Sequence, residues 1–167
     1  MNYKGLIRSL ELPSGYTPPR ELRYEDITAR AISRADLVAD VKGINASLDI
    51  IRRTRGGEWP SEPVTDDFDY VDLVWHELEF REHYSFAYAV YDTGGQYLGC
   101  CYLYPMGRRT PLDESLMQHD VDVSWWVTPD GYDRGYYAKL HRALHHWVTD
   151  NFGWNSPYFS NHEIPEA

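Results

Sequence analysis

Residues 121–140 read VDVSWWVTPDGYDRGYYAKL. The apolar run predicts a strand over Asp120–Thr128, and Pro129 with Gly131 ends it. From about Asp133 to Phe152 the period changes, because Tyr137, Leu140, Leu144, Trp147 and Val148 recur at helical spacing. Strand, glycine-bearing turn and helix in that order form the basic unit of an α/β domain. The turn lies at the carboxyl edge of the sheet, where such folds hold ligands.

Working towards the amino terminus, Ser85–Tyr91 and Gln96–Tyr104 read as two strands. They are joined by Asp92-Thr93-Gly94-Gly95, whose glycines suit a tight hairpin. Asp66 or Asp67 opens a helix with Phe68, Val71, Trp75 and Leu78 as its expected buried stripe. The stretch between this helix and the preceding one, RRTRGGEWPSEPVTDD, is broken by Gly56, Gly57, Pro60 and Pro63 and reads as a loop. Before it, Ser33 and Asp36 resemble a helix cap, and Leu37, Val41, Ile44, Leu48 and Ile51 share one helical face up to about Arg53. Ile27–Ile32 alternates as a strand, and a last strand is expected over Tyr158–Ser160. The order strand, helix, helix, hairpin, strand, helix, strand implies a mixed sheet with helices on both faces and a final strand parallel to its predecessor. Residues 1–24, with Pro13, Gly15, Pro18 and Pro19, read as an extended arm, and 25–167 as a single domain.

The chain has 167 residues, 43% of them hydrophobic, enough for one substantial core. Its formal charge of -10 argues against nucleic acid as a partner, while an acidic surface could favour a cationic substrate such as an amine. Cys100 and Cys101 are adjacent within an apolar run, a poor arrangement for a structural disulfide, and they fit a reducing, cytoplasmic setting. No apolar stretch is long enough to span a membrane, so no membrane is expected. His141 and His145 stand one helical turn apart with His146 beside them. No carboxylate completes a ligand set, and no metal is expected.

The quoted segment resembles the fourth strand and following helix of the GNAT N-acetyltransferase superfamily, in which Val-x-Pro leads into a Gln/Arg-x-x-Gly-x-Gly/Ala turn. QYLGCCYLYP resembles the preceding strand, and the likeness runs over roughly residues 25 to 161. The resemblance implies a GNAT-like α/β domain that transfers acetyl from acetyl-CoA directly to an amine of a small molecule or peptide. It implies that the backbone of Val127 and Thr128, the turn residues Tyr132, Arg134, Gly135, Tyr136 and Tyr137, and Asn161 after the last strand would hold the cofactor. Tyr132 stands at the Gln/Arg position, Gly135 at the first glycine and Tyr137 at the Gly/Ala position. Tyr137 also lies on the apolar stripe of its helix, so it reads equally as a core aromatic, and Asp133 as an N-cap.

Asp122 matches the acidic position of the family strand and is the first candidate base, with Asp120 and His119 next; an acidic residue there also suits the solvated side of a sheet. Asn161-His162 after a strand is also ordinary turn chemistry. GNAT proteins usually continue past the fifth strand with a helix and hairpin, so the domain reads as truncated there. The arm, or a second copy in a homodimer, is then expected to cover the open edge. The departures at Tyr132 and Tyr137 leave a second reading open: a binding protein of the same fold that has lost acetyl-CoA.

Overall fold

The computed structural model describes residues 5–166. Six strands lie in sequence order across one sheet. They are β1 (Glu21–Tyr24), β2 (Ile27–Ala31), β3 (Phe86–Asp92), β4 (Tyr97–Tyr104), β5 (Val121–Val127) and β6 (Pro157–Phe159). Neighbours pair antiparallel through β5, and β6 runs parallel to β5, as the sequence implies. The extra strand is β1. The end of the arm turns back at Glu25, in the left-handed region, to pair with β2. Over its described residues the arm therefore builds the edge opposite β6 and does not cover β6. Further back it packs on Phe152–Trp154, where the Trp154 indole donates to the Glu11 carbonyl at 2.8 Å.

The helices are α1 (Leu37–Asn45), α2 (Leu48–Thr54), α3 (Asp66–Arg81), α4 (Pro129–Asp133) and α5 (Tyr136–Asp150). Strand alternation sorts the core into two layers. Cys101, Leu103, Val123, Trp125 and Val127 meet Tyr137, Leu140 and Leu144 of α5. On the other face, Cys100, Tyr102 and Trp126 meet Ile44, Ile51 and Leu73 of α1, α2 and α3. Among the described residues no helix is long and apolar enough to cross a membrane.

Three expectations need correction. The single helix to Arg53 is two, because the Ser47 hydroxyl bonds the Gly43 carbonyl at 2.5 Å and diverts the ladder. The buried stripe of α3 is Asp69, Leu73, His76 and Phe80, whereas Phe68, Val71 and Trp75 are 60%, 55% and 57% exposed. Asp69 is 1% exposed within this stripe, and burial raises the proton affinity of both Asp69 and Asp40 on α1. Finally, the last helix starts at Tyr136, so Asp133 ends α4 and does not cap α5.

Gly99 fixes the closeness of β4 and β5. A Cβ there would run into the Trp126 carbonyl, and its φ of 152° is one that side chains avoid.

Candidate active site

The site forms where β5 and β6 part. Their pairing covers Val121–Val123 against Pro157–Phe159, and the Ser160 amide makes a last bond to the Val123 carbonyl at 2.9 Å. Thr128 donates to the Leu98 carbonyl at 2.8 Å, on the β4 side, so by alternation the N–H and C=O of Trp125 and Val127 face the gap.

Asn161 bridges that gap. Its Oδ1 accepts from the Trp125 amide at 3.1 Å, and its Nδ2 donates to the Trp125 carbonyl at 2.9 Å and to the Tyr137 hydroxyl at 2.8 Å. Tyr137 is buried against Trp125, with ring centroids 5.1 Å apart, and its hydroxyl donates to the Glu163 carbonyl at 2.5 Å. Glu163 then donates its amide to the Thr54 carbonyl at 3.0 Å, while its carboxylate accepts from the Tyr132 hydroxyl at 2.7 Å and lies 3.9 Å from Arg53. Beside it His162 packs so closely on Gly56 that a Cβ there would strike the imidazole. Residues 160–165 thus lie along the gap between β5 and the end of α2.

At the turn, Thr128 caps α4 by accepting from the Gly131 amide at 3.1 Å. The amides of Tyr132, Arg134 and Gly135 are taken by the Thr128, Asp130 and Tyr132 carbonyls. Gly135, with φ of 85°, then starts α5, and a Cβ there would meet nothing within 4 Å. The first amides of α5 have no acceptor within their own helix, which leaves a partial anion cradle. Arg134 is engaged elsewhere, with Asp92 at 3.0 Å and Asp130 at 3.2 Å. The Tyr136 hydroxyl donates to Asp26 at 2.6 Å. Tyr132, Gly135, Tyr137, Ala138, Glu163 and Pro165 enclose a cavity of about 350 Å³ at this point.

The three candidate bases separate. Asp120 accepts from the Asn155 and Ser156 amides at 3.1 and 3.2 Å, and a His119 ring nitrogen lies 3.2 Å from the Ser156 carbonyl. Both are tied to the loop at the far end of β5. Asp122 is fully buried on the α1–α3 face. Its Oδ1 accepts from Ser160 at 2.5 Å, and its Oδ2 has no hydrogen-bond partner among the described residues. Burial raises its proton affinity; the Ser160 hydrogen bond and the nearby charge of Arg109 oppose the rise.

On that face lies a second cavity, of about 210 Å³, walled by Arg55, Trp59, Asp72, His76, Tyr102 and Tyr104. Asp122 is outside its wall. Arg55 donates through Nε to Ser124 at 3.1 Å and lies flat over Tyr102 at 4.2 Å. Arg109 donates to the Arg55 carbonyl and, through Nε at 3.1 Å, to Ser160. Burial and the charge of Arg55 bring the Arg109 guanidinium down to about 10. Arg55, Asp72, His76 and Arg109 come from three separate segments, so local sequence gives no sign that they converge.

No family model matches the sequence, and no curated protein matches it. Solved structures do. A Vibrio cholerae protein described as a ribosomal-protein-serine acetyltransferase superposes with a TM-score of 0.60 at 11% identity, over 81% of this chain and 70% of that one. A ribosomal alpha-N-protein acetyltransferase in complex with coenzyme A superposes with a TM-score of 0.59 at 11% identity, over 77% and 67%. This chain has the GNAT fold. Spermidine N-acetyltransferase from Vibrio cholerae, in complex with CoA and spermine, gives a TM-score of 0.52 at 19% identity over 76% of this chain and 66% of its own. In GNAT terms, β5 and β6 are the fourth and fifth strands, with β1 lying before the first strand of that count. Among the described residues, 160–166 carry no helix or strand.

Proposed function

We infer that the chain is an acyl-CoA-dependent N-acetyltransferase acting on an amine, with a cleft covered by residues 160–165 in the conformation described. One observation carries this reading. Asn161, a primary amide, occupies both polar groups of the Trp125 peptide in the gap between strands. The pantetheine arm of CoA also presents amides, so cofactor entry would exchange one amide for another and leave no buried backbone group unpaired.

Displacement of this segment would uncover three things together. The Trp125 and Val127 backbone would face the arm and the acyl oxygen, and the Val127 N–H would act as oxyanion donor. Asp122 would lose the Ser160 hydroxyl and, with its raised proton affinity, accept the proton that the amine gives up. Arg53 and the Tyr132 hydroxyl would be released from Glu163 toward phosphate at the start of α5. Acetyl-CoA would supply the acyl thioester. The amine nitrogen bonds to the acyl carbon, the carbon–sulfur bond breaks, and the sulfur leaves with its electron pair.

The test is calorimetric titration with acetyl-CoA of the wild-type protein and of Asn161→Ala. Binding to both is expected, tighter in the variant by about tenfold or more, since each 1.4 kcal/mol of removed competition is a factor of ten. A second reading, a binding protein that has lost the cofactor, is favoured by the buried Tyr137 phenol and by the spent turn amides. No acetyl-CoA binding to either folded protein at millimolar concentration would establish that reading in place of the first.

A further inference from the structure

The chain carries a formal charge of -10, yet two arginines, Arg55 and Arg109, converge on the face of the sheet that holds Asp122. Arg55 is 6% exposed, and among the described residues neither it nor Arg109 has a carboxylate within ion-pair distance. Arg34, Arg108 and Arg134, by contrast, each lie within 3.0 Å of one. Asp122 offsets this charge from beyond contact distance; a buried guanidinium with no carboxylate in direct contact keeps a desolvation cost that a bound anion would offset.

The geometry around Arg55 indicates what that ligand is. Ser124 holds Nε, Tyr102 backs the plane at 4.2 Å, and Trp59 stands 5.8 Å from the guanidinium carbon. Among the described residues its terminal nitrogens make no hydrogen bond, and Arg55 belongs to the cavity wall. A guanidinium fixed in this way presents two parallel donors, the geometry that matches a carboxylate. The remaining walls, Trp59, Tyr102 and Tyr104, accept an apolar or aromatic group. Asp72 stands half-exposed, 3.3 Å from His76, and supplies the only carboxylate of the wall.

We propose that this cavity binds an amine that also bears a carboxylate, an amino acid with an apolar or aromatic side chain, and that Arg55 is the residue that selects it. Resting on the acetyltransferase reading, this names the acceptor of the same site. Ser124, which holds Arg55, immediately precedes Trp125 in the cofactor cleft and lies two residues from Asp122 on one strand face, about 7 Å at the usual rise. A small amino acid can span the distance from the carboxylate anchor to the base.

The probes are phenylalanine, 3-phenylpropionate, which keeps the carboxylate without the amine, and phenethylamine, which keeps the amine without the carboxylate. Each is titrated into the wild-type protein and into Arg55→Lys and Arg55→Met, with the Arg55 Nε–H resonance followed by NMR in the wild type. Phenylalanine and 3-phenylpropionate are expected to bind and shift that resonance. Arg55→Lys should weaken them about tenfold, and Arg55→Met should abolish saturation. Phenethylamine binding as tightly as phenylalanine, undiminished binding to Arg55→Met, or no binding of either carboxylate would overturn the proposal. Neither readout involves acetyl-CoA. Carboxylate binding without acetyl-CoA binding would retain the anion site and reject the transferase, and the converse would do the reverse.

Discussion

Replacing Asn161 by Ala tests whether the gap between β5 and β6 is held shut as described. The substitution removes three hydrogen bonds and leaves the Trp125 N–H and C=O without partners on a residue that is 0% exposed. The Tyr137 hydroxyl keeps its acceptor at Glu163. Each stranded backbone group costs about 1–3 kcal/mol, so the sum is about 3 kcal/mol after some relief from entering water. For a chain of this size that lowers the melting temperature by about 6–12 °C. Asn161→Leu, which fills the space without donors or acceptors, should cost at least as much, because it keeps water out. The assay is thermal unfolding with urea denaturation as a check that the slope is unchanged. Saturating acetyl-CoA should raise the melting temperature of Asn161→Ala more than that of wild type, since only in the variant does the cofactor restore lost bonds. A fall under about 2 °C would refute the reasoning. It would place Asn161 with surface turn residues, whose replacement costs about 0.5 kcal/mol or less.

Three further outcomes are expected. His141 is stacked on Trp125 at 5.0 Å, and burial and neighbouring charge lower it to about 4. Its neutral form is therefore stabilising above the unfolded value of ~6.5, and that contribution, up to about 3 kcal/mol, is lost as pH falls towards 4. His141→Gln should flatten this acid limb in denaturation curves taken from pH 7 to 4. The buried Asp69 has the opposite sign. Its folded proton affinity is raised, so it penalises folding progressively as pH climbs above the unfolded value of ~4, and Asp69→Asn should raise the melting temperature at pH 8 while changing it little at pH 4.5. Gly99→Ala should destabilise by at least about 2 kcal/mol in urea denaturation, because its Cβ would meet the Trp126 carbonyl and the backbone lies at a φ of 152°.

The fold was legible where a pattern has a strong physical cause. The glycine hairpin after Asp92, the parting from strand to helix at Pro129 and the parallel last strand follow from turn chemistry and period. The face of α3 was not legible. A hydrophobicity reading puts Phe68, Val71 and Trp75 inside, whereas the buried stripe carries Asp69 and His76 beside Leu73 and Phe80, polar residues that such a reading leaves outside. β1 was missed because Glu21–Tyr24 is short and charged and pairs only at the sheet edge. At the site, Asp122 and Asn161 were singled out by their match to family positions, but their environment depends on Arg109, Ser160 and Tyr137 from other segments. Local sequence carries no signal for such convergence.

Tyr137 and Asn161 are better understood as one device than as two departures from a motif. A Gly or Ala at position 137 would leave the Asn161 amide with an unfilled donor and the Glu163 carbonyl without its phenol, so the segment across the cleft would lose two of its bonds. With tyrosine there, the contacts of Ser160 with Asp122, of Asn161 with Trp125 and of Glu163 with Tyr132 and Arg53 all come from one four-residue stretch. Lifting any one loosens its neighbours, because the chain between them is three residues long at most. Asp122, the gap between β5 and β6, and Arg53 are therefore coupled through residues 160–163. On the acetyltransferase reading, a cofactor able to replace the Asn161 amide would gain access to all three for the free energy of one displacement.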